Sequence, residues 1–145
     1  MILTFHILVS YNPDYFCCMI APCLYIAEAG TKGRGVFTAA DITADSVIEI
    51  APVVVMPDGE RKLIDQTLLH DYIFEWGDGT QECCLALGWV SVYNHSYTSN
   101  CTYDMDYDEK TITIQTIRKI KAGEELTINY NGTWNNDKKI WFDAE

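Results

Sequence analysis

The chain has 145 residues, of which 48% are hydrophobic and 21% are charged. This length and composition are those of a single globular domain, and they exclude a disordered chain. The charge balance is acidic, with 21 Asp and Glu residues against 10 Lys and Arg residues and a formal net charge of -11. Such a surface disfavours bare nucleic acid, whose phosphates are bound by basic residues, and favours basic partners, although solubility alone would also explain it.

The first 20 residues differ from the rest of the chain. Residues 1–9 are apolar, but no basic segment precedes them, and Asn12-Pro13-Asp14 interrupts the run well short of a membrane-spanning length. We therefore expect no membrane span, disfavour a signal peptide, and treat residues 1–20 as an N-terminal extension. An extra strand, a loosely ordered extension and a start upstream of the domain proper are all compatible with it.

The cysteine pattern argues against both a metal site and a disulfide framework. No two of the six cysteines form a C-x-x-C pattern, and two pairs are adjacent in sequence. We expect reduced thiols in an intracellular protein and no bound metal. The six are Cys17, Cys18, Cys23, Cys83, Cys84 and Cys101.

Short strands dominate the predicted secondary structure. A run of β-branched residues at 46–56 indicates a strand in which Pro52 marks a bulge or an edge, and the glycines of 28–35 indicate a loop. We predict strands at 23–27, 46–56, 72–76, 103–107, 111–117 and 126–130, and a further strand that begins at residue 36. We also predict a helix at 60–70 and a buried apolar run at 83–92. The sequence thus predicts one mostly β (β+α) domain.

Two segments carry most of the chemical information. Residues 92–101 read V-Y-N-H-S-Y-T-S-N-C. Because short polar side chains such as Asn, Ser and Thr form hydrogen bonds to their own backbone in turns, we expect an irregular loop that follows a buried strand. Residues 124–132 read E-E-L-T-I-N-Y-N-G, a short alternating strand that ends on a tyrosine and a turn. Loops held by a rigid scaffold are frequent sites of function.

Three motifs in order resemble those of SET-domain protein-lysine methyltransferases. They are K-G-R-G-V-F at 32–37, N-H-S at 94–96 followed by Asn100-Cys101, and E-L-T-I-N-Y at 125–130. The resemblance implies a SET-domain (β-clip) fold of small curved sheets with one or two short helices. It also implies a C-terminal pseudoknot, in which the last motif passes beneath the N-H-S loop. The domain would span residues 21–132. A tail at 133–145 would complete the site in place of the absent cysteine-rich post-SET segment.

The resemblance also implies the residues of the site. S-adenosylmethionine (SAM) would bind on one face, and a substrate lysine would enter a narrow channel from the other. The residues expected to hold SAM are Lys32, Gly33, Arg34, Gly35, Asn94, His95, Tyr130 and Trp134. The catalytic residues would be Tyr130, Tyr103 and Tyr72. Tyr72 or Phe74 would supply the channel wall that a family tyrosine often provides at the position of Ala51.

The chemistry of methyl transfer accounts for these residue types. Transfer to an amine is an in-line displacement, so much of the acceleration can come from positioning. The lysine must attack as a neutral amine, and burial among aromatic rings lowers its pKa by desolvation. Without the resemblance, Tyr130 would be an aromatic residue at a strand end, Asn94 a turn asparagine and His95 a buried core histidine.

The sequence therefore predicts a SAM-dependent protein-lysine N-methyltransferase. Its substrate would be a lysine-bearing and basic protein, such as a histone or histone-like protein, bound as an added strand along a sheet edge. The expected location is intracellular, either cytoplasmic or nuclear, and the oligomeric state is open, a homodimer included. The alternative is a catalytically inactive SET-like or β-clip module that binds a basic peptide or a small ligand. An increase in melting temperature on adding SAM would test for binding.

Overall fold

The computed structural model describes residues 18–79 and 81–140. The predictions for residues 1–17, including Cys17, lie outside the described residues. The order of elements is β1 Met19–Ile20, β2 Leu24–Glu28, β3 Arg34–Thr38, β4 Val47–Met56, α1 Asp58–Ile64, β5 Ile73–Trp76, β6 Glu82–Ala86, β7 Asn94–His95, β8 Cys101–Asp106, β9 Thr111–Thr116 and β10 Glu125–Ile128. Three short 3-10 helices cover Gly30–Lys32, Leu68–Tyr72 and Val90–Val92. The predicted mostly β fold is confirmed.

The predicted helix at 60–70 is wrong in its extent. The α-helix ends at Ile64, and a separate 3-10 helix begins at Leu68. Thr67 separates the two, because its hydroxyl accepts a hydrogen bond from the Leu69 N–H at 3.2 Å and so caps the second helix. Tyr72 belongs to this 3-10 helix, and the predicted strand begins one residue later.

The longest strand, β4, changes partner along its length. Its residues 49–50 pair with β1 and residues 53–56 pair with β6, while residues 47–52 pair with β9. Pro52 lies between the β1 and β6 pairings, faces Thr111 of β9, and accepts a 2.8 Å hydrogen bond from the Leu87 N–H at its carbonyl. The irregularity in β4 lies instead between Val47 and Glu49, where the register shifts.

The larger sheet curls so that its two ends meet. The strand order is β5-β6-β4-β9-β8, so β5 and β8 are at opposite ends. Aromatic rings nevertheless join those strands edge to face. The ring centroids of Phe74 and Tyr103 are 5.6 Å apart, and those of Trp76 and Tyr107 are 4.9 Å apart. Both end strands therefore border one space.

The smaller sheet contains the polar loop and the last strand. Its order is β2-β3-β10-β7, and β7 is a two-residue strand parallel to β10 within the segment predicted to be irregular. The Ser96 N–H donates to the Ile128 carbonyl, while the Asn100 side chain bonds the Glu125 carbonyl and the Thr127 N–H. Successive strand residues direct their backbone groups to opposite edges, so segment 94–100 contacts both edges of β10. This is the pseudoknot arrangement expected for the fold.

Replacing Asn100 with alanine should destabilise the protein by about 3 kcal/mol, because a buried N–H and C=O of β10 lose their partners. The side-chain amide of Asn100 accepts a hydrogen bond from the Thr127 N–H at 2.9 Å and donates one to the Glu125 carbonyl at 2.8 Å. Urea unfolding measures the change, and Asn135→Ala, at an exposed position, should stay within about 0.5 kcal/mol. Equal stability of the two variants would show that the loop does not depend on this amide.

The cysteines that the structure describes are all free thiols. Cys83, Cys84 and Cys101 are buried, and burial raises the pKa of the Cys101 thiol to about 12. Within residues 18–79 and 81–140 no cluster of His, Cys, Asp or Glu side chains is arranged to hold a metal ion. Across the same residues, no helix has both the length and the apolar character that a membrane span requires.

Candidate active site

A cavity of about 620 Å³ opens between the two end strands of the larger sheet. Its walls come from the 3-10 helix Leu68–Tyr72, from β5 and β8, and from the residues after β10. The three tyrosines predicted to be catalytic all line it, together with Phe74. Charged side chains also face it: Arg61, Asp71, Glu75, Lys138 and Lys139.

Tyr130 is fixed in this cavity through its hydroxyl group, which donates to the Tyr93 carbonyl at 2.9 Å. Burial raises the pKa of Tyr130 to about 12, and the nearby Glu125 and Asp71 carboxylates act in the same direction. The hydroxyl is therefore protonated throughout the neutral range and acts as a hydrogen-bond donor.

Tyr103 and Tyr72 form the other aromatic walls. Burial, followed by the Glu75 carboxylate, raises the pKa of Tyr103 to about 12. Tyr72 is more exposed, and its carbonyl accepts a 2.8 Å hydrogen bond from the Ser91 hydroxyl. Ala51 is buried and carries no ring, and the cavity has both Tyr72 and Phe74 in its wall.

His95 joins the polar loop to the backbone of Tyr130. Its Nδ1 atom accepts a hydrogen bond from the Tyr130 N–H at 3.1 Å, and its ring packs edge-on against Tyr97. Burial, followed by the positive charge of Lys32, lowers the pKa of His95, so the ring is neutral and carries its proton on Nε2. That atom is buried and has no hydrogen-bond partner within the described residues. Tyr130 thus has its backbone on the loop and its hydroxyl in the cavity.

Asn94 ties the loop to the glycine-rich turn. Its amide nitrogen donates to the Arg34 carbonyl at 3.2 Å and to the Glu125 Oε1 atom at 2.7 Å. Gly35 lies directly against this junction, because a Cβ atom there would be 2.6 Å from Glu125 Oε1 and 2.8 Å from Asn94 Nδ2. The three predicted motifs therefore meet at one place in the structure.

The remaining residues predicted to hold SAM lie outside the cavity. Gly33 has a φ of 77° and open space where a side chain would be. Lys32 ends the preceding 3-10 helix and acts electrostatically on His95. Trp134 is 48% exposed, and its carbonyl accepts a hydrogen bond from the Ser99 hydroxyl at 3.3 Å.

The tail following the last motif is held against the site. The amide nitrogens of Asn129 and Asn131 donate to the carbonyls of Asn136 and Lys138, at 2.7 and 2.6 Å. The N–H of Ile140 donates to the Tyr97 hydroxyl at 3.2 Å. The tail therefore forms one wall of the cavity as far as the described residues extend.

Sequence reasoning missed two buried residues behind the tyrosines. The two residues are Tyr93 and Glu49. The Tyr93 carbonyl accepts a hydrogen bond from the Tyr130 hydroxyl, and the Glu49 carboxylate accepts a 2.6 Å hydrogen bond from the Trp89 N–H. Burial raises the pKa of Glu49, although its bond to the Trp89 N–H opposes the shift. The available signal was an acidic residue inside the otherwise apolar run 47–56.

Comparison with known proteins decides the family. The model of the SET domain matches residues 33–131, which is more than half of the chain. This chain belongs to the SET-domain family. It is 36% identical over 123 residues to a histone-lysine N-methyltransferase of Schizosaccharomyces pombe described as specific for histone H3 lysine-37, with 84% of this chain and 78% of the relative covered.

Solved structures agree on the fold of this SET domain. One is from Plasmodium falciparum and is assigned as a histone methyltransferase. It is 25% identical with a TM-score of 0.57, over 79% of this chain and 98% of that one. A second is a humanized mutant of Polycomb Repressive Complex 2 from Chaetomium thermophilum, bound to an inhibitor. It is 21% identical with a TM-score of 0.65, over 80% of this chain and 16% of that one, and supports the fold alone.

The predicted enzyme class is confirmed by the family and by the curated relative. The chain is a SAM-dependent protein-lysine N-methyltransferase. The structure offers features that fit SAM outside the cavity. They are the buried Nε2 donor of His95, which has no hydrogen-bond partner among the described residues, and the open space at Gly33 in the glycine-rich turn.

Proposed function

We propose that this enzyme methylates a lysine of histone H3, with Tyr130 as the central catalytic residue. The convergence of Tyr72, Tyr103 and Tyr130 on one cavity carries the proposal. The curated relative supports histone H3 as the substrate, because that enzyme is described as specific for lysine-37 of H3. A nuclear location follows from such a substrate.

The cavity walls would prepare the lysine for attack. Burying an ammonium group among rings lowers its pKa by desolvation, and ring faces hold whatever cationic fraction remains. The Tyr130 and Tyr103 hydroxyls stay neutral because their pKa values are raised to about 12, so they can position the amine without competing for its proton. The proton leaves to solvent.

SAM would be held by the three motifs and the tail. When bound, it supplies a methyl group on a sulfonium centre. The glycine-rich turn, residues 32–35, would contact it through backbone groups, and His95 would offer its Nε2 proton or its backbone. Asn94 would hold the turn and the loop together, since its amide nitrogen bonds Arg34 and Glu125. Tyr130 would lie between these SAM-binding residues and the lysine cavity, and Trp134 of the tail would cover the SAM site.

The substrate segment would lie as an added strand beside β5, between that strand and β8. Both strands line the cavity, and β5 is paired on one side with β6 in the sheet path. Asp71 would attract a basic segment in this space, while Glu75 is paired with Arg61 at 3.4 Å, and Lys138 and Lys139 also line it. The net charge of -11 would attract such a segment over longer distances.

The pH dependence of turnover should report the substrate lysine and not the tyrosines. We expect kcat to rise with pH through about pH 9, because deprotonation of the amine limits the reaction. No fall due to tyrosine ionisation should follow below about pH 10, since burial holds both tyrosine pKa values near 12. Rates measured from pH 6 to 10 with saturating peptide test this, and a decline beginning near pH 9 would assign an ionised tyrosine to the mechanism.

The proposed substrate is tested by transfer of radiolabelled methyl from SAM to core histones, to H3 peptides that contain single lysines, and to a basic protein unrelated to histones. Label on one H3 lysine, lost in an arginine-substituted peptide, would establish the substrate. Label on the unrelated protein alone would exclude histone H3. An increase in melting temperature with SAM but no label on any protein would favour the alternative binding module.

A further inference from the structure

Glu49 is the most deeply buried acidic residue among those described, with a side chain that is 0% exposed. Alternation along β4 accounts for its direction, because Glu49, Ala51 and Val53 are all buried and share the face of the strand that packs on the core. The register shift between Val47 and Glu49 falls at Ile48, which is buried as well and so departs from this alternation.

This carboxylate reaches the segment that leads to Tyr93. Its Oε1 atom accepts the Trp89 N–H at 2.6 Å, at the start of the turn that continues into the 3-10 helix Val90–Val92. Gly88 permits the contact, because a Cβ atom at that position would lie 2.6 Å from the same oxygen. Glu49 therefore holds the first residues of this segment.

Glu49 also acts on the last residue of the segment. The negative charge of its carboxylate is the largest influence after burial that raises the pKa of Tyr93, so the Tyr93 phenol lies close to it. The Oε2 atom of Glu49 and the Tyr93 hydroxyl are both buried, and neither forms a hydrogen bond of good geometry with other described residues. The other titratable groups that act on Tyr93 are the thiols of Cys23 and Cys101.

The carbonyl of Tyr93 accepts the hydroxyl of Tyr130 at 2.9 Å. We propose that Glu49 is a positioning residue for methyl transfer, because it bonds the first residue of segment 89–93 and lies close to the phenol of the last, and so fixes the carbonyl that orients the Tyr130 hydroxyl. This inference rests on the catalytic role proposed for Tyr130. Glu49 itself lies behind the cavity wall and touches neither the substrate lysine nor SAM.

A double-mutant cycle tests the proposal. Glu49→Leu should lower kcat about tenfold with little change in KM for SAM, because a misplaced catalytic group costs rate and not binding. Glu49→Gln keeps an oxygen acceptor for the Trp89 N–H and should restore most of kcat. In a Tyr130→Phe background, Glu49→Leu should have no further effect. The same loss of kcat in both backgrounds would overturn the proposal. Ile42→Ala, a core substitution outside segment 89–93, controls for lowered stability, and an equal loss of kcat in this variant would also overturn the proposal.

The 13C NMR signal of the Tyr130 Cζ atom, assigned with Tyr130→Phe, gives a readout that does not need turnover. It should move in Glu49→Leu and keep its position in Glu49→Gln. Gly88→Ala, which displaces the carboxylate without removing it, should move it as well. An unmoved signal in Glu49→Leu and Gly88→Ala would overturn the proposal even if histone methylation is confirmed. A moved signal without methyl transfer to any protein would support the positioning of the Tyr130 hydroxyl by Glu49 and reject the proposed function.

Discussion

Substituting Tyr130 with phenylalanine should lower kcat on the order of 100-fold, the cost of losing the positioning of a reacting group. The change removes the hydroxyl that donates to the Tyr93 carbonyl and faces the cavity. SAM binding should change little, because the bond between the Tyr130 N–H and His95 belongs to the backbone. Steady-state rates with a histone H3 peptide, together with calorimetric titration of SAM, separate the two effects.

Tyr25→Phe is the matched control. It removes the same atom from an exposed residue of β2 that stacks on Phe37 outside the cavity, so kcat should be unchanged. Far-UV circular dichroism and melting temperature should show that both variants are folded. Full activity of Tyr130→Phe would remove this hydroxyl from the mechanism.

Substituting Gly35 with alanine should weaken SAM binding about tenfold or more. The added methyl group would lie 2.6 Å from Glu125 Oε1 and 2.8 Å from Asn94 Nδ2, so the turn and the loop must move apart. Overpacking of this kind costs about 1–3 kcal/mol, and we expect that cost in the free energy of unfolding. The loss of SAM affinity follows if the displaced groups hold SAM.

Gly59→Ala provides the comparison for this glycine. Gly59 lies in α1, and no atom lies within 4 Å of the position that its Cβ would take. The variant should gain up to about 1 kcal/mol of stability, since alanine is the better helix former, with unchanged SAM affinity. Calorimetric titration and urea unfolding of both variants measure these changes. If Gly35→Ala binds SAM as tightly as Gly59→Ala does, the turn is not part of the SAM site.

Tyr130→Phe is expected to act on turnover and Gly35→Ala on SAM binding, and the groups that these two substitutions disturb lie on opposite sides of Tyr130. Its backbone is bonded to His95, which lies with Asn94 on the loop enclosing β10, and its hydroxyl lies in the tyrosine-lined cavity. A substrate lysine and SAM entering from different sides would meet at this residue. Under the proposed mechanism the pseudoknot would therefore have a functional consequence, since the loop that encloses β10 also sets where Tyr130 leaves this strand.

The sequence by itself determined the fold class and the family, and it predicted Tyr130 as the central tyrosine. Local patterns suffice for these conclusions, because strand propensity, turn residues and the motifs N-H-S and E-L-T-I-N-Y are each contained within a few residues. The helix at 60–70 was predicted with the wrong extent, since the capping bond made by Thr67 outweighed an apolar pattern that was imperfectly periodic.

Only the tertiary structure decided how the site is assembled. Asn94 bonds Glu125 across 31 residues, and Glu49 bonds the Trp89 N–H across 40, distances in sequence that no local pattern encodes. Phe74 and Tyr103 come together only because the sheet curls until β5 meets β8. Burial has the same origin: the face of β4 that carries Glu49, Ala51 and Val53 is covered by the fold, and the missing side chain at Gly88, 39 positions later, leaves room for the Glu49 carboxylate.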